Sequence, residues 1–181
     1  MAHLARRHAC TRRQALTGIA GSLLAPASAW AQSAARVENQ ELPPPLVGSK
    51  LALPDVVLLD GTTFRASEAD GQVVVLYWWA SWCPFCAQQS PHMDKLWLAH
   101  KGRGLRMLGL SIDRKADEAG SYLARKGYTF PAGLVTPAVA RVLPKPKGLP
   151  VTIVRGRDGR VLAAETGQLF PEDVEQIARF L

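Results

Sequence analysis

Two cysteines three positions apart, in Trp82-Cys83-Pro84-Phe85-Cys86, are the residues of this chain best suited to chemistry. A thiol exchanges with a disulfide only as thiolate, so one sulfur must be both acidified and reachable. Pro84 fits the first position of a helix, where its missing N–H is not needed. Cys83 then becomes the helix cap, where free backbone N–H groups and the helix dipole favour a negative sulfur. Cys86, one turn in, faces the interior. The spacing therefore assigns Cys83 as the attacking sulfur and Cys86 as the sulfur that resolves the mixed disulfide. An inert structural bridge is the alternative, but so short a loop restricts the unfolded chain little. A four-cysteine zinc site would need a second pair that the chain lacks.

The elements that must position this pair can be read outward from it. Gln72 to Trp79 is an almost uninterrupted β-branched and aromatic run, the pattern of a central strand covered on both faces. It feeds straight into the cysteines. A helix is predicted over Pro84 to His100, ended by Gly102 and kinked at Pro91. Leu105 to Ile112 reads as a second strand and Lys115 to Lys126 as a second helix closing before Gly127, which is βαβ alternation. Before these, Val56 to Leu59 and Thr62 to Arg65 flank the turn Asp60-Gly61 and predict a hairpin. After them come an extended stretch in Tyr128 to Val135, a short helix over Pro137 to Leu143, and a hairpin of Val151 to Arg155 with Arg160 to Glu165. A closing helix over Pro171 to Leu181 completes the reading.

The first 31 residues read differently from the rest. Arg6, Arg7, Arg12 and Arg13 precede an apolar run from Ala15 to Ala31 that ends in Ala29-Trp30-Ala31, a signal-peptide pattern that predicts cleavage before Gln32. Thr11-Arg12-Arg13-Gln14-Ala15-Leu16 also resembles a twin-arginine motif, with Ala15 where an aromatic is usual, so twin-arginine and Sec export compete. A retained membrane anchor is the alternative, against which stand Gly18, Gly21, Pro26 and Ser28 in a short run. Cys10 precedes the run and goes with the signal. These four arginines also hold much of the formal charge of +7; the other 18 basic side chains face 15 acidic ones, and no basic stripe alternates with aromatics. Nucleic-acid binding is therefore not expected. Residues 32–50, with Pro43-Pro44-Pro45, read as an extended linker, and residues 51–181 as one domain.

The strand, then Trp79-Ala80-Ser81-Trp82-Cys83-Pro84-Phe85-Cys86, then Pro91 inside the helix, resembles the thioredoxin superfamily, and within it the TlpA/ResA-like branch. The similarity runs from about Leu53 to the final helix. It implies an α/β, thioredoxin-like fold: a central mixed β-sheet flanked by helices, with an N-terminal β-hairpin extension. It also implies that Gly148-Leu149-Pro150-Val151-Thr152 is the loop whose cis-proline faces the cysteines, shields them from metals and offers backbone to a client strand. Without the resemblance, Pro150 is a strand-start proline. The implied activity is periplasmic thiol–disulfide exchange, a reductase of client disulfides fed by a membrane thiol donor, as in cytochrome c or copper-centre assembly. No metal, no other cofactor and a monomer are expected.

Two positions depart from the pattern. Gln89 stands where this branch commonly has a glutamate, and Tyr77 where thioredoxins have a buried aspartate, so neither carboxylate is at hand for Cys86. Trp82, Pro84 and Phe85 are read as tuning the pair or touching a client. Trp78, Trp79 and Trp97 are read as core, and His92 and His100 as exposed helix residues. Three rival functions fit the residues less well. A disulfide oxidase of the same fold is disfavoured by the lack of an inserted helical domain. A copper metallochaperone would show a longer cysteine spacing and a dedicated histidine. A peroxidase would need a threonine-bearing loop before its cysteine and ranks lowest.

Overall fold

The computed structural model describes residues 42–181; the expected export signal, Cys10 and most of the expected linker lie outside the described residues. At the centre is β3 (Val73–Trp79), buried at all seven positions. Its alternating side chains serve two cores. Val73, Val75, Tyr77 and Trp79 enter one cluster, and Val74, Leu76 and Trp78 the other, as the period of a pleated strand requires. A strand so placed needs partners on both edges, and it has them: β4 (Leu105–Ser111) runs parallel on one side and β6 (Val151–Arg155) antiparallel on the other. β5 (Ala132–Leu134) and β7 (Val161–Thr166) complete a mixed sheet of order β5-β4-β3-β6-β7.

One face is covered by α1 (Pro84–His100), α2 (Ala116–Lys126) and α4 (Pro171–Gln176). These deliver Met93, Leu96, Ala119, Tyr122, Leu123 and Val174 to the first core. The other face receives α3 (Pro137–Val142) and the hairpin β1 (Val56–Val57) and β2 (Thr63–Phe64), which contribute Val139, Val56 and Phe64. α1 has the predicted bounds and runs unbroken through Pro91. α2 ends on Gly127 at φ 69°, the left-handed cap that glycine adopts without steric cost.

Four expectations need correction. The opening hairpin is shorter than predicted, because Leu58 bridges to Gly133 and the Leu59 N–H donates to the Ala132 carbonyl, which turns the chain onto β5. The extended stretch after Tyr128 is a strand only at Ala132–Leu134. The closing helix is α-helical only to Gln176 and tightens into a 3-10 turn over Ile177–Phe180, as helix ends do when last carbonyls lack partners. His92 and His100 are half-buried and line a hollow with Lys95 and Glu175. The lead-in is extended and hydrogen-bonded to the domain: Gly48 N–H donates to Val161 O and Leu51 N–H to Gly159 O, while Leu42 O accepts from Lys147 N–H. No helix among the described residues is long and apolar enough to cross a membrane.

The crossing of β1 over β5 is tight enough to test. A Cβ at Gly133 would lie 2.6 Å from both Val56 Cγ1 and the Val57 carbonyl oxygen, and the latter is backbone that cannot yield cheaply. Gly133→Ala is expected to cost about 1–3 kcal/mol by overpacking, measured as a lower urea midpoint. An unchanged midpoint would show that the crossing is looser than described.

Candidate active site

β3 leaves the sheet at Ala80, and the chain turns at once: the Cys83 N–H donates to the Ala80 carbonyl at 3.2 Å. That turn seats Cys83 as the N-cap of α1 with Pro84 at the first helical position. The cap is made by sulfur, since the Cys86 N–H donates to Cys83 Sγ at 3.2 Å. The two cysteines form a disulfide with Cα atoms 5.2 Å apart. Cys83 is 4% exposed and Cys86 1%, so the bridge shows only one edge to solvent. The reachability expected of Cys83 is thus narrow while the bridge is closed. On either side stand Trp82 and Phe85, 65% and 54% exposed.

The Leu149–Pro150 peptide is cis. Pro150 is buried and Leu149 half-buried, packed against both cores, and the Pro150 carbonyl accepts from the Gly167 N–H at 2.8 Å. Gln89 is the hub behind these loops. Fully buried, it donates from Nε2 to Thr152 Oγ1 at 2.9 Å and accepts at Oε1 from the Leu169 N–H at 2.8 Å. One side chain therefore ties α1 to the strand that follows Pro150 and to the loop that follows β7. That loop presents Phe170, also 65% exposed.

Behind Cys86 the polar groups are neutral. Tyr77 donates its hydroxyl toward the Cys86 carbonyl at 3.2 Å and lies 3.1 Å from Ser90 Oγ, which itself donates to the same carbonyl at 2.8 Å. Burial pushes the Tyr77 phenol well above its ordinary acidity range, so it stays protonated at any physiological pH. Two buried carboxylates lie further out. Asp94 accepts from the Thr129 N–H at 2.6 Å and the Phe130 N–H at 3.0 Å, and so pins α1 to the approach of β5. Asp113, at the end of β4, accepts from Ser81 in the turn before the cysteines.

The eight candidate residues lie on the segment that follows β3 (Trp82 to Gln89) and on the one that precedes β6 (Leu149 and Pro150), and the two strands pair at Trp78 and Val151. Trp78 and Trp79 are core, as expected, and Trp97 is half-buried against it. Sequence reading missed Asp113, Ser81, Ser90, Thr152 and the Leu169 amide. The one available signal was Ser111-Ile112-Asp113, a polar close to an apolar strand.

Residues 47–138 match the family model described as AhpC/TSA. The chain is 31% identical over 127 residues to the thiol-disulfide oxidoreductase ResA of Geobacillus kaustophilus, covering 68% of this chain and 72% of that protein. A thioredoxin family thiol:disulfide interchange protein from Chlorobium tepidum superposes with TM-score 0.68 at 21% identity, over 75% of this chain and 97% of that one, and shows the same fold. A thiol:disulfide interchange protein DsbE from Chlorobium tepidum gives TM-score 0.63 at 28% identity, over 74% and 94%. The architecture is thus thioredoxin-like.

Gln89→Met removes both amide contacts at nearly constant volume and strands the Leu169 N–H. The expected loss is about 1–3 kcal/mol, read from urea unfolding of the oxidised protein. A loss below about 0.5 kcal/mol would mean that water replaces the amide without cost.

Proposed function

Because the chain belongs to the AhpC/TSA family and, within it, to the ResA-like thiol-disulfide oxidoreductases, we propose that it is exported and reduces disulfides of client proteins through Cys83 and Cys86. The observation that carries this reading is the cap: Cys83 Sγ accepts the Cys86 N–H at the mouth of a 17-residue helix. A sulfur so placed is stabilised as thiolate by unpaired N–H groups and by the helix dipole.

The cycle balances as follows. The Cys83 thiolate attacks one sulfur of a client disulfide; a Cys83–client bond forms, the client S–S bond breaks, and one client thiolate leaves. Cys86 then gives up its proton and attacks Cys83 Sγ, which releases the second client thiolate and closes the Cys83–Cys86 bridge. Two electrons pass to the client, and the two client thiolates take up protons. A dithiol donor on the membrane restores the reduced pair by the same exchange in reverse.

With Tyr77 locked as a neutral phenol and Gln89 unable to titrate, the Cys86 proton goes to water or to the departing client thiolate. Trp82 and Phe85 flank the edge by which a client enters, and the backbone before Pro150 offers it a strand to pair with. The reductase direction is supported by the short connections between α1 and β6, which leave no room for an inserted helical domain among the described residues. The reading of export is supported by the N-terminal signal pattern of the sequence.

Cys86→Ala is expected to hold Cys83 in a mixed disulfide with its client, visible as a reductant-sensitive adduct on a non-reducing gel, while Cys83→Ala gives none. Trapping by Cys83→Ala alone would reverse the roles. The intact dithiol should reduce insulin, and its potential should lie well below about −120 mV, the range of a strong disulfide oxidant. A value near that figure would make the protein an oxidase.

A further inference from the structure

Asp113 is a 7% exposed carboxylate that no step of the exchange cycle uses. Its position is set by the sheet. The Ile112 N–H still donates to the Trp79 carbonyl at 3.0 Å, in line with the β3–β4 ladder. One residue later the side chain of Asp113 takes over and catches β3's continuation as it leaves the sheet. Oδ1 accepts from Ser81 Oγ at 2.7 Å and from Ser81 N at 3.2 Å. Oδ2 accepts from the same N–H at 3.1 Å and from Ser111 Oγ at 2.7 Å. Ser111 is returned the favour by the Asp113 N–H at 3.0 Å.

Every donor that reaches this carboxylate is neutral, and Arg114 and Lys115, next in the chain, are exposed to water that screens them. Ser81 lies within the Ala80–Cys83 turn, two residues from Cys83, so their Cα atoms are at most about 7.6 Å apart. The Asp113 carboxylate lies one hydrogen bond beyond Ser81, and a buried negative charge at such a distance is felt by the sulfur more strongly than a solvent-screened surface charge would be.

We propose that Asp113 is a positioning residue for the redox pair: it fixes the turn that seats Cys83 on the helix cap, and its charge opposes the Cys83 thiolate and makes the pair a stronger electron donor. The sign follows from the half-reaction. Reduction adds two electrons to the Cys83–Cys86 bond and leaves a thiol and a thiolate, or two thiols after protonation. An anion held one turn away from the thiolate makes the reduced pair less stable while leaving the uncharged disulfide almost untouched. Electrons are then held less tightly and pass more readily to a client. The helix cap pulls the other way, so the site sets its potential by opposing a favourable dipole with one fixed charge. This rests on Cys83 being the nucleophile.

The test uses the full chain, with Asp113→Asn beside Ser81→Ala. Asn keeps the shape and removes the charge; Ser81→Ala loses a hydrogen bond and keeps the charge. In equilibrium with a glutathione buffer, Asp113→Asn is expected to favour the reduced form about tenfold, a rise of about 30 mV. Its Cys83 thiolate, followed by ultraviolet absorbance, should form at lower pH than in the parent. Ser81→Ala should lower the urea midpoint with the potential and thiolate titration close to the parent values. If Asp113→Asn is less stable but keeps the parent potential and titration, the residue is only structural and the proposal fails. Should that variant not fold, Asp113→Ser is read by the same two measurements. A parent potential near about −120 mV overturns the reductase direction whatever Asp113→Asn does, so the two failures are separable.

Discussion

The site depends on how one buried strand ends. All seven residues of β3 are covered, so its backbone groups can be satisfied only by neighbouring strands, and it must leave the sheet with its hydrogen bonds accounted for. It does so in three steps: a backbone rung from Ile112, side-chain acceptance by Asp113, and the turn from Ala80 to Cys83. Each step hands an unsatisfied donor to the next acceptor, and the last acceptor is the sulfur itself, which takes the Cys86 N–H. The reactive position of Cys83 is therefore the end of a hydrogen-bond sequence that begins inside the sheet. Burying a large apolar side chain is worth about 1.5–3 kcal/mol, and the Val, Leu and Trp side chains of β3 supply the driving force that holds this geometry.

Much of this was legible in the chain. The β3 run, the bounds of α1 and the glycines after both long helices follow from local physics: β-branched density, proline at a helix start, glycine where φ is positive. The expected mixed sheet and the cis-proline came with the thioredoxin resemblance, since local preference alone gives no reason to expect Pro150 to be cis. What could not be read were contacts between distant positions. Gln89 meets partners 63 and 80 residues away, and Asp113 meets Ser81 across 32. A glutamine in a helix signals nothing about which buried amide it will meet. The short opening hairpin was obscure for the same reason, because Leu58 keeps its turn bonds to Thr62 and Gly61 but also bridges to Gly133, and the Leu59 N–H goes to Ala132 on β5.

The aromatic residues show how a polar group is carried inside without charge. Tyr77 packs edge-on to Phe130 at 6.0 Å, and Phe130 meets Trp79 and stacks on Tyr128 at 6.0 Å. The Tyr77 hydroxyl emerges from this apolar packing only at the Cys86 carbonyl and Ser90. Burial disfavours its ionised form, so the packing that positions the phenol also prevents it from acting as a base. The same surroundings would raise the cost of any anion placed behind Cys86.

That cost clarifies what Gln89 does in place of an acid. A glutamate could also accept the Leu169 N–H and a hydrogen bond from the Thr152 hydroxyl, so the two contacts alone do not demand an amide. The difference is charge: a carboxylate one turn beyond Cys86, in a fully buried position, would add an anion on the interior side of the pair. With the amide, the loops are held by two neutral hydrogen bonds, and negative charge near the cysteines enters from the Asp113 side, where four hydrogen-bond contacts stabilise it. Separating the two tasks lets the loops around Pro150 and Phe170 be held firmly without changing the electrostatics of Cys86. The proton of the resolving thiol is then governed by solvent and client instead of by a resident base.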